Sequence, residues 1–149
     1  MDQQPEERLS GRLAEIVEEF SEVELRERLE MLLEFSDNLP PLSQERQAQR
    51  DAGIHRIHEC QTPVFLWVEL IDGRVRIAAD VAPEAPTVKG FVGLLVEAFD
   101  GAAPEDVLAV PQNLIQRLGL AEALGMVRGR GLHAILHRIR AEVRRLAGG

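Results

Sequence analysis

The chain contains one cysteine, Cys60, and that thiol is the first candidate for chemistry. It lies in the segment His58-Glu59-Cys60-Gln61-Thr62-Pro63. A lone thiol forms no internal disulfide, and without a second cysteine it makes a poor structural zinc site. Two uses remain, which are packing in the core and reaction of the thiolate. The position of Cys60 at the end of a polar loop favours reaction.

The neighbours of Cys60 have opposing effects on its reactivity. The negative charge of Glu59 disfavours a negatively charged thiolate at Cys60. His58, or an arginine brought close by the fold, would favour the thiolate. The residues alone leave the net effect open.

Histidines supply the rival chemistries. His133 or His137 could reach Cys60 as the base of a cysteine hydrolase, but the local signatures of such enzymes are absent. His55, His58 and Cys60 form a pattern that can bind a divalent metal, as can the helical pair His133 and His137, although boundary packing is favoured for that pair. We predict no metal site and keep a metal-binding or Fe-S scaffold protein as the alternative function.

Composition limits the class of protein. A length of 149 residues fits one domain over residues 1–149, and the net charge of −8 argues against a nucleic-acid partner. Acidic residues cluster in the first 45 residues and arginines near the C-terminus, a polarity that suits docking with other proteins. No apolar run is long enough to cross a membrane, and the acidic segment Met1 to Glu7 is unlike a secretory signal. We therefore expect a cytoplasmic protein with a reduced thiol.

The hydrophobic pattern predicts an α+β fold. Apolar residues at helical spacing predict two helices before residue 38, and further helices after Pro83, the last and longest containing Leu132 to Leu146. Between them, the apolar run from Val64, the pair Asp72-Gly73 and the alternating residues 74–78 predict a hairpin. Residues 55–58 could add a strand, giving a small antiparallel sheet of about three strands between N-terminal and C-terminal helices. Gly90 and Gly93 inside one helix indicate close backbone packing.

Four segments together resemble the SufE family of sulfur acceptors in order and spacing. They are Leu39-Pro40-Pro41-Leu42, Ile57 with His58-Glu59-Cys60-Gln61-Thr62-Pro63-Val64-Phe65-Leu66, Ala85-Pro86-Thr87-Val88-Lys89-Gly90-Phe91, and Arg128-Gly129-Arg130-Gly131-Leu132. The resemblance extends from about residue 10 to residue 146. It implies a SufE/NifU-like fold with the acceptor cysteine at a loop tip.

The resemblance also implies a function and site residues. Cys60 corresponds to the persulfide acceptor, Glu84 takes the place of a family Asp near that loop, and Arg128 matches a family Arg near the site. The implied partners are a pyridoxal-phosphate cysteine desulfurase (SufS-like), which the carrier would stimulate, and an Fe-S assembly scaffold. The carrier itself then needs no cofactor, because the pyridoxal phosphate belongs to the desulfurase, and it is not a stand-alone enzyme. The resemblance leaves open whether the protein forms a homodimer.

This sequence departs from the family at Glu59, where Gly is frequent, and at Thr62-Pro63, which follows Cys-Gln where Ser is frequent. These departures bear on the flexibility of the loop and on how the thiolate is stabilised.

Overall fold

A computed structural model describes residues 7–148 and has the α+β architecture that the sequence predicts. In chain order the elements are α1 (Gly11–Ser21), α2 (Leu25–Asp37), α3 (Gln44–Asp51), β1 (Val64–Ile71), β2 (Arg74–Val81), α4 (Pro86–Phe99), α5 (Pro104–Leu108), α6 (Leu114–Arg117) and α7 (Ala121–Ala147). Residues 1–6, which hold most of the acidic segment that we compared with a secretory signal, lie outside the described residues.

The hairpin of β1 and β2 forms as predicted. The strands are antiparallel, with Val64 opposite Val81 at one end and Ile71 opposite Arg74 at the other. Asp72 and Gly73 have φ angles of 52° and 76°, and two positive φ values are what a tight two-residue hairpin turn requires. In β2, every second residue from Val75 to Val81 is buried, which confirms the predicted alternation.

The third strand expected at residues 55–58 is reduced to one antiparallel bridge, between Arg56 and Phe65. Within residues 7–148 the sheet therefore has two strands. The reason is local: turns occupy residues 52–55 and 58–59, and too few residues remain between them for a longer ladder. After this bridge the chain turns away from β1 and forms the loop that carries Cys60.

Helix α4 lies at the centre of the fold and contacts α1, α2, α7 and β2. Ten of its fourteen residues are buried. A Cβ atom at Gly90 would lie 2.3 Å from the Leu32 carbonyl oxygen, and one at Gly93 would lie 2.3 Å from that of Phe35. The predicted close packing at these two glycines is confirmed, and it lets α2 and α4 touch backbone to backbone.

The final helix differs from the sequence prediction at its start. The apolar pattern predicts the last helix over Leu132 to Leu146, but α7 already begins at Ala121 and includes the glycine-rich residues 125–131. Gly125 interrupts it with φ 75° and ψ 175°, so the helical path starts again at Met126. After this kink, α7 packs on β1 with Leu132, Ile135, Leu136 and Ile139 buried.

Among residues 7–148, no helix combines the length and the apolar character that crossing a membrane requires.

Candidate functional site

The loop that carries Cys60 is closed at its base by backbone hydrogen bonds. The Ile57 N–H donates to the Val64 carbonyl at 2.8 Å, and the Leu66 N–H donates to the His55 carbonyl at 3.0 Å. Between these bonds the chain reverses, with a longer contact of 3.4 Å from the Cys60 N–H to the Ile57 carbonyl. Cys60 thus lies in a short loop held at the N-terminal end of β1, as the loop-to-strand pattern predicted.

The Cys60 side chain is buried, with 6% of its surface exposed, although it lies in a loop. Gly131 of α7 lies directly against it: a Cβ atom at residue 131 would be 3.2 Å from the Cys60 Sγ. The absence of a side chain at Gly131 therefore leaves the space that the sulfur occupies. The neighbouring loop residues His58 and Glu59 are exposed.

The environment of the thiol favours its neutral form. Burial raises the pKa of Cys60, because the thiolate loses its hydration. A hydrogen bond from the Thr62 backbone and the positive charge of Arg56 lower the pKa in part, without reversing the direction. The net effect that the sequence left open is a protonated, covered thiol, and the acid beside it in sequence, Glu59, is not among the causes.

Glu84 lies in the segment between β2 and α4, and its side chain is exposed. This segment borders the cysteine loop, since the Ala82 N–H donates to the Pro63 carbonyl at 3.1 Å. Within residues 7–148 the Glu84 carboxylate forms no hydrogen bond or ion pair that would assign it a task. Its role stays a prediction.

Arg128 lies on α7, one helical turn before Gly131, and its side chain is also exposed. The described part of the chain gives its guanidinium no hydrogen bond or ion pair. Arg128 is not among the groups that set the pKa of Cys60 in this state. The structure thus brings its helix to the cysteine, while the role of its side chain stays a prediction.

Two residues of this site were missed in the sequence. Arg56 is the cation that acts on the thiol, and its Nε atom is buried without a hydrogen-bond partner among residues 7–148. One indication of this role was present in the sequence, which is that Arg56 places a cation four residues before the cysteine and next to the apolar Ile57. Gly131 lies in one of the segments that carry the family resemblance, but its contact with Cys60 could not be predicted because it depends on how α7 crosses the loop.

The structure does not assemble the rival sites. His133 and His137 line a cavity whose other lining residues are Gln112, Leu136 and Arg140, and Cys60 is not among them. The His55 ring packs against Trp67, with ring centroids 5.4 Å apart. Among residues 7–148, no group of three His, Cys, Asp or Glu residues is placed to hold a metal ion.

Exposed apolar side chains lie on the helix that contacts Cys60. Met126 and Val127, just after the kink at Gly125, are 75% and 63% exposed, and they lie about one helical turn before Gly131. Ile54, close in sequence to Arg56, is also exposed.

The chemistry available here is that of one nucleophilic sulfur. The thiolate is the reactive form of cysteine, so Cys60 must lose both its proton and its cover before it reacts. Attack on a sulfur-sulfur bond needs no metal and no second cysteine in the same chain.

Comparison with known proteins assigns the architecture to a family. Residues 14–143 match the family model described as SufE, Fe-S metabolism associated domain. An uncharacterized SufE-like protein of Mycobacterium tuberculosis is 38% identical over 137 residues, which are 91% of this chain and 94% of that protein.

Two further proteins are similar to this chain. The solution structure of a hypothetical protein from Thermus thermophilus has a TM-score of 0.81 and 37% identity, covering 95% of this chain and 100% of the other. A cysteine desulfuration protein SufE of Plasmodium vivax is 33% identical over 84 residues, which are 55% of this chain and 35% of that protein.

Proposed function

Because this chain belongs to the SufE family of Fe-S metabolism associated domains, we propose that Cys60 accepts sulfur from a pyridoxal-phosphate-dependent cysteine desulfurase. The observation that carries the proposal is that the only cysteine of the chain occupies a loop tip against Gly131. The accepted sulfur then passes to iron-sulfur cluster assembly.

The transfer is a displacement at sulfur. The Cys60 thiolate attacks the outer sulfur of a persulfide on the desulfurase, a new S–S bond forms at Cys60, and the original S–S bond breaks. The cysteine of the desulfurase leaves as a thiolate, and the transferred sulfur keeps its proton. The desulfurase is thereby freed for another turnover, which is why a carrier of this kind stimulates it.

The buried state of Cys60 fits a carrier that reacts only when docked. Cys60 is buried, so its thiol is poorly placed for attack by small oxidants or for transfer to unintended acceptors. Docking of the desulfurase would have to move the loop off Gly131, which would expose the sulfur and remove the burial that raises its pKa.

The apolar pair Met126 and Val127 is suited to receive the desulfurase. Both residues are exposed, and both lie on the helix that covers Cys60. A partner that buries them would gain apolar area and would act on the same helix. The pyridoxal phosphate belongs to that partner, and the proposal includes a cytoplasmic location, where a single thiol stays reduced.

The experiment combines the chain with a cysteine desulfurase and L-cysteine. We expect faster sulfide release in the presence of a reductant, and an intact mass increased by one sulfur atom in its absence. Cys60→Ser should lose the sulfur adduct and the stimulation. Unchanged sulfide release together with no adduct on the wild-type chain would refute the proposal.

A second pair of variants separates docking from thiol chemistry. Met126→Gln should reduce the stimulation while leaving the rate of Cys60 alkylation in the free protein unchanged. The matched control is Ile71→Thr, since Ile71 is 47% exposed but lies at the other end of β1, about 23 Å along the strand from Val64. Equal loss of stimulation in both variants would argue against docking at Met126.

A further inference from the structure

A cavity of about 210 Å³ lies beside α7, and none of its lining residues belongs to the cysteine loop. Its lining residues are Gln112, His133, Leu136, His137 and Arg140. Four of the five carry side-chain nitrogens that can donate hydrogen bonds, and none carries a carboxylate. The proposed sulfur transfer uses none of these residues.

Arg140 is the most informative residue of this cavity. Its Nη2 donates to the Leu108 carbonyl at 3.1 Å, which fixes the guanidinium, while its Nε is buried and has no hydrogen-bond partner among residues 7–148. Burial lowers the pKa of Arg140, the positive charge of Arg144 acts in the same direction, and the negative charge of Glu7 opposes both. A buried charged donor without an acceptor is unfavourable, so a ligand that supplies one would be stabilised there.

Among residues 7–148, Glu7 acts on Arg140 only from beyond ion-pair distance, and no carboxylate is paired with the guanidinium. Glu142, the nearest acid in the sequence of α7, is already engaged by Arg138 at 3.8 Å and by Arg145 at 2.7 Å. The described part of the chain contains no ion pair that involves Arg140 itself. His133 and His137, one turn apart on the same helix, add two imidazole donors to the lining.

We propose that this cavity binds an oxyanion or a carboxylate group. Arg140 supplies the charged guanidinium donor, and Gln112, His133 and His137 supply further N–H donors. A water molecule takes about 30 Å³ in the liquid, so the cavity is large enough for an anion of several heavy atoms. Guanidinium is the side-chain group best suited to carboxylate and phosphate oxygens.

The test is a titration of the full chain at one pH and constant ionic strength, with inorganic phosphate in one arm and acetate in the other. The ring resonances of the histidines are followed by NMR, and the chain has four. We expect saturable shifts of His133 and His137, while His55 and His58, which lie by the cysteine loop, serve as internal references and stay unchanged. Saturation by phosphate alone assigns an oxyanion site, and saturation by acetate alone assigns a carboxylate site. No saturation in either arm, or equal shifts of all four histidines, would overturn the proposal.

Variants locate the ligand. Arg140→Gln should weaken binding about tenfold or more, the effect of losing one charge-assisted hydrogen bond. Because Arg140 is partly buried, His137→Gln at an exposed position provides a second variant that does not depend on the core, with an expected loss of about threefold. His58→Gln is the matched control and should bind as the wild type. Unchanged affinity in His137→Gln, or in a folded Arg140→Gln, would contradict the assignment.

Discussion

Gly131 and Cys60 are in direct contact across the boundary between α7 and the cysteine loop, where a Cβ atom at residue 131 would lie only 3.2 Å from the sulfur. This distance is shorter than ordinary van der Waals contact, so a side chain here would displace its neighbour. Two residues earlier on the same helix, Gly129 has no such neighbour, since a Cβ atom there would meet nothing within 4 Å. The helix therefore offers a matched pair of glycines, one that touches the thiol and one that does not.

The first prediction concerns Gly131→Ala. The added methyl group should push the cysteine loop outward, and alkylation of Cys60 in the native protein should become faster. Replacing a helical glycine with alanine gains up to about 1 kcal/mol of helix propensity, and the tight contact should offset that gain. The measurements are the rate of reaction with iodoacetamide and the free energy of unfolding in urea.

Gly129→Ala is the control for this variant. It should gain the helix propensity, about 0.5 to 1 kcal/mol, and leave the alkylation rate of Cys60 unchanged. If Gly129→Ala and Gly131→Ala alkylate at the same rate, the contact between Gly131 and the sulfur does not control access to the thiol.

The second prediction concerns Arg56, whose positive charge lowers the pKa of Cys60 and partly offsets the effect of burial. Arg56→Gln removes the charge, so the pKa of Cys60 should rise further and the pH profile of alkylation should move to higher pH. Arg56→Lys keeps the charge and should stay close to the wild-type profile. The rate of alkylation across the pH range, at fixed salt concentration, measures the effect.

Arg128→Gln tests the alternative cation at this site. Arg128 is exposed and does not act on the thiol in the free protein, so its removal should leave the alkylation profile of the free chain unchanged. A shift in Arg128→Gln as large as that in Arg56→Gln would show that the effect is general electrostatics and not the position of Arg56.

Much of this fold could be predicted from local signals. The pair Asp72-Gly73 predicted the hairpin turn, the alternation from Val75 predicted the buried face of β2, and Gly90 and Gly93 indicated close backbone packing, without indicating that α2 is the partner. Each of these depends on backbone conformation or on spacing within one element. The pairing of residues 55–58 could not be predicted in this way, because turns on both sides leave only residues 56 and 57 between them, and those turns depend on the rest of the fold.

The candidate site was predictable in its nucleophile but not in its surroundings. Cys60 stood out because it is the only cysteine and follows a polar segment. Its burial follows from α7 crossing over the loop more than 70 residues later in the chain, and the sequence carries no local mark of that crossing. The same holds for Arg56, since a cation near a cysteine in sequence affects it only if the loop turns the two side chains toward one another.

The third prediction concerns Gly90→Ala at the contact between α2 and α4. A Cβ atom at Gly90 would lie 2.3 Å from the Leu32 carbonyl oxygen, and a helix backbone cannot yield as a side-chain end can. We expect a loss of at least about 2 kcal/mol in the free energy of unfolding, even after the gain in helix propensity. Urea denaturation measures it, with Gly129→Ala as the matched substitution in an uncrowded helix. A stability equal to that of Gly129→Ala would mean that the two helices separate easily.

The last prediction concerns the pH dependence of stability. Burial raises the pKa of Cys60 in the folded protein above its value in the unfolded chain, so the folded state holds the thiol proton more tightly. As the pH rises past the unfolded pKa, of about 8.5 for a free thiol, the unfolded chain releases its proton first. The free energy of unfolding should therefore be unaffected by this group below that pH and should fall as the pH rises toward the folded pKa.

Cys60→Ser has no thiol to ionise, so the difference in unfolding free energy between the wild type and this variant should be constant near neutral pH. In alkaline solution the wild type should lose stability relative to the variant. A constant difference throughout would mean that the thiol has the same pKa in the folded and unfolded chains, and that its burial against Gly131 does not restrain its ionisation.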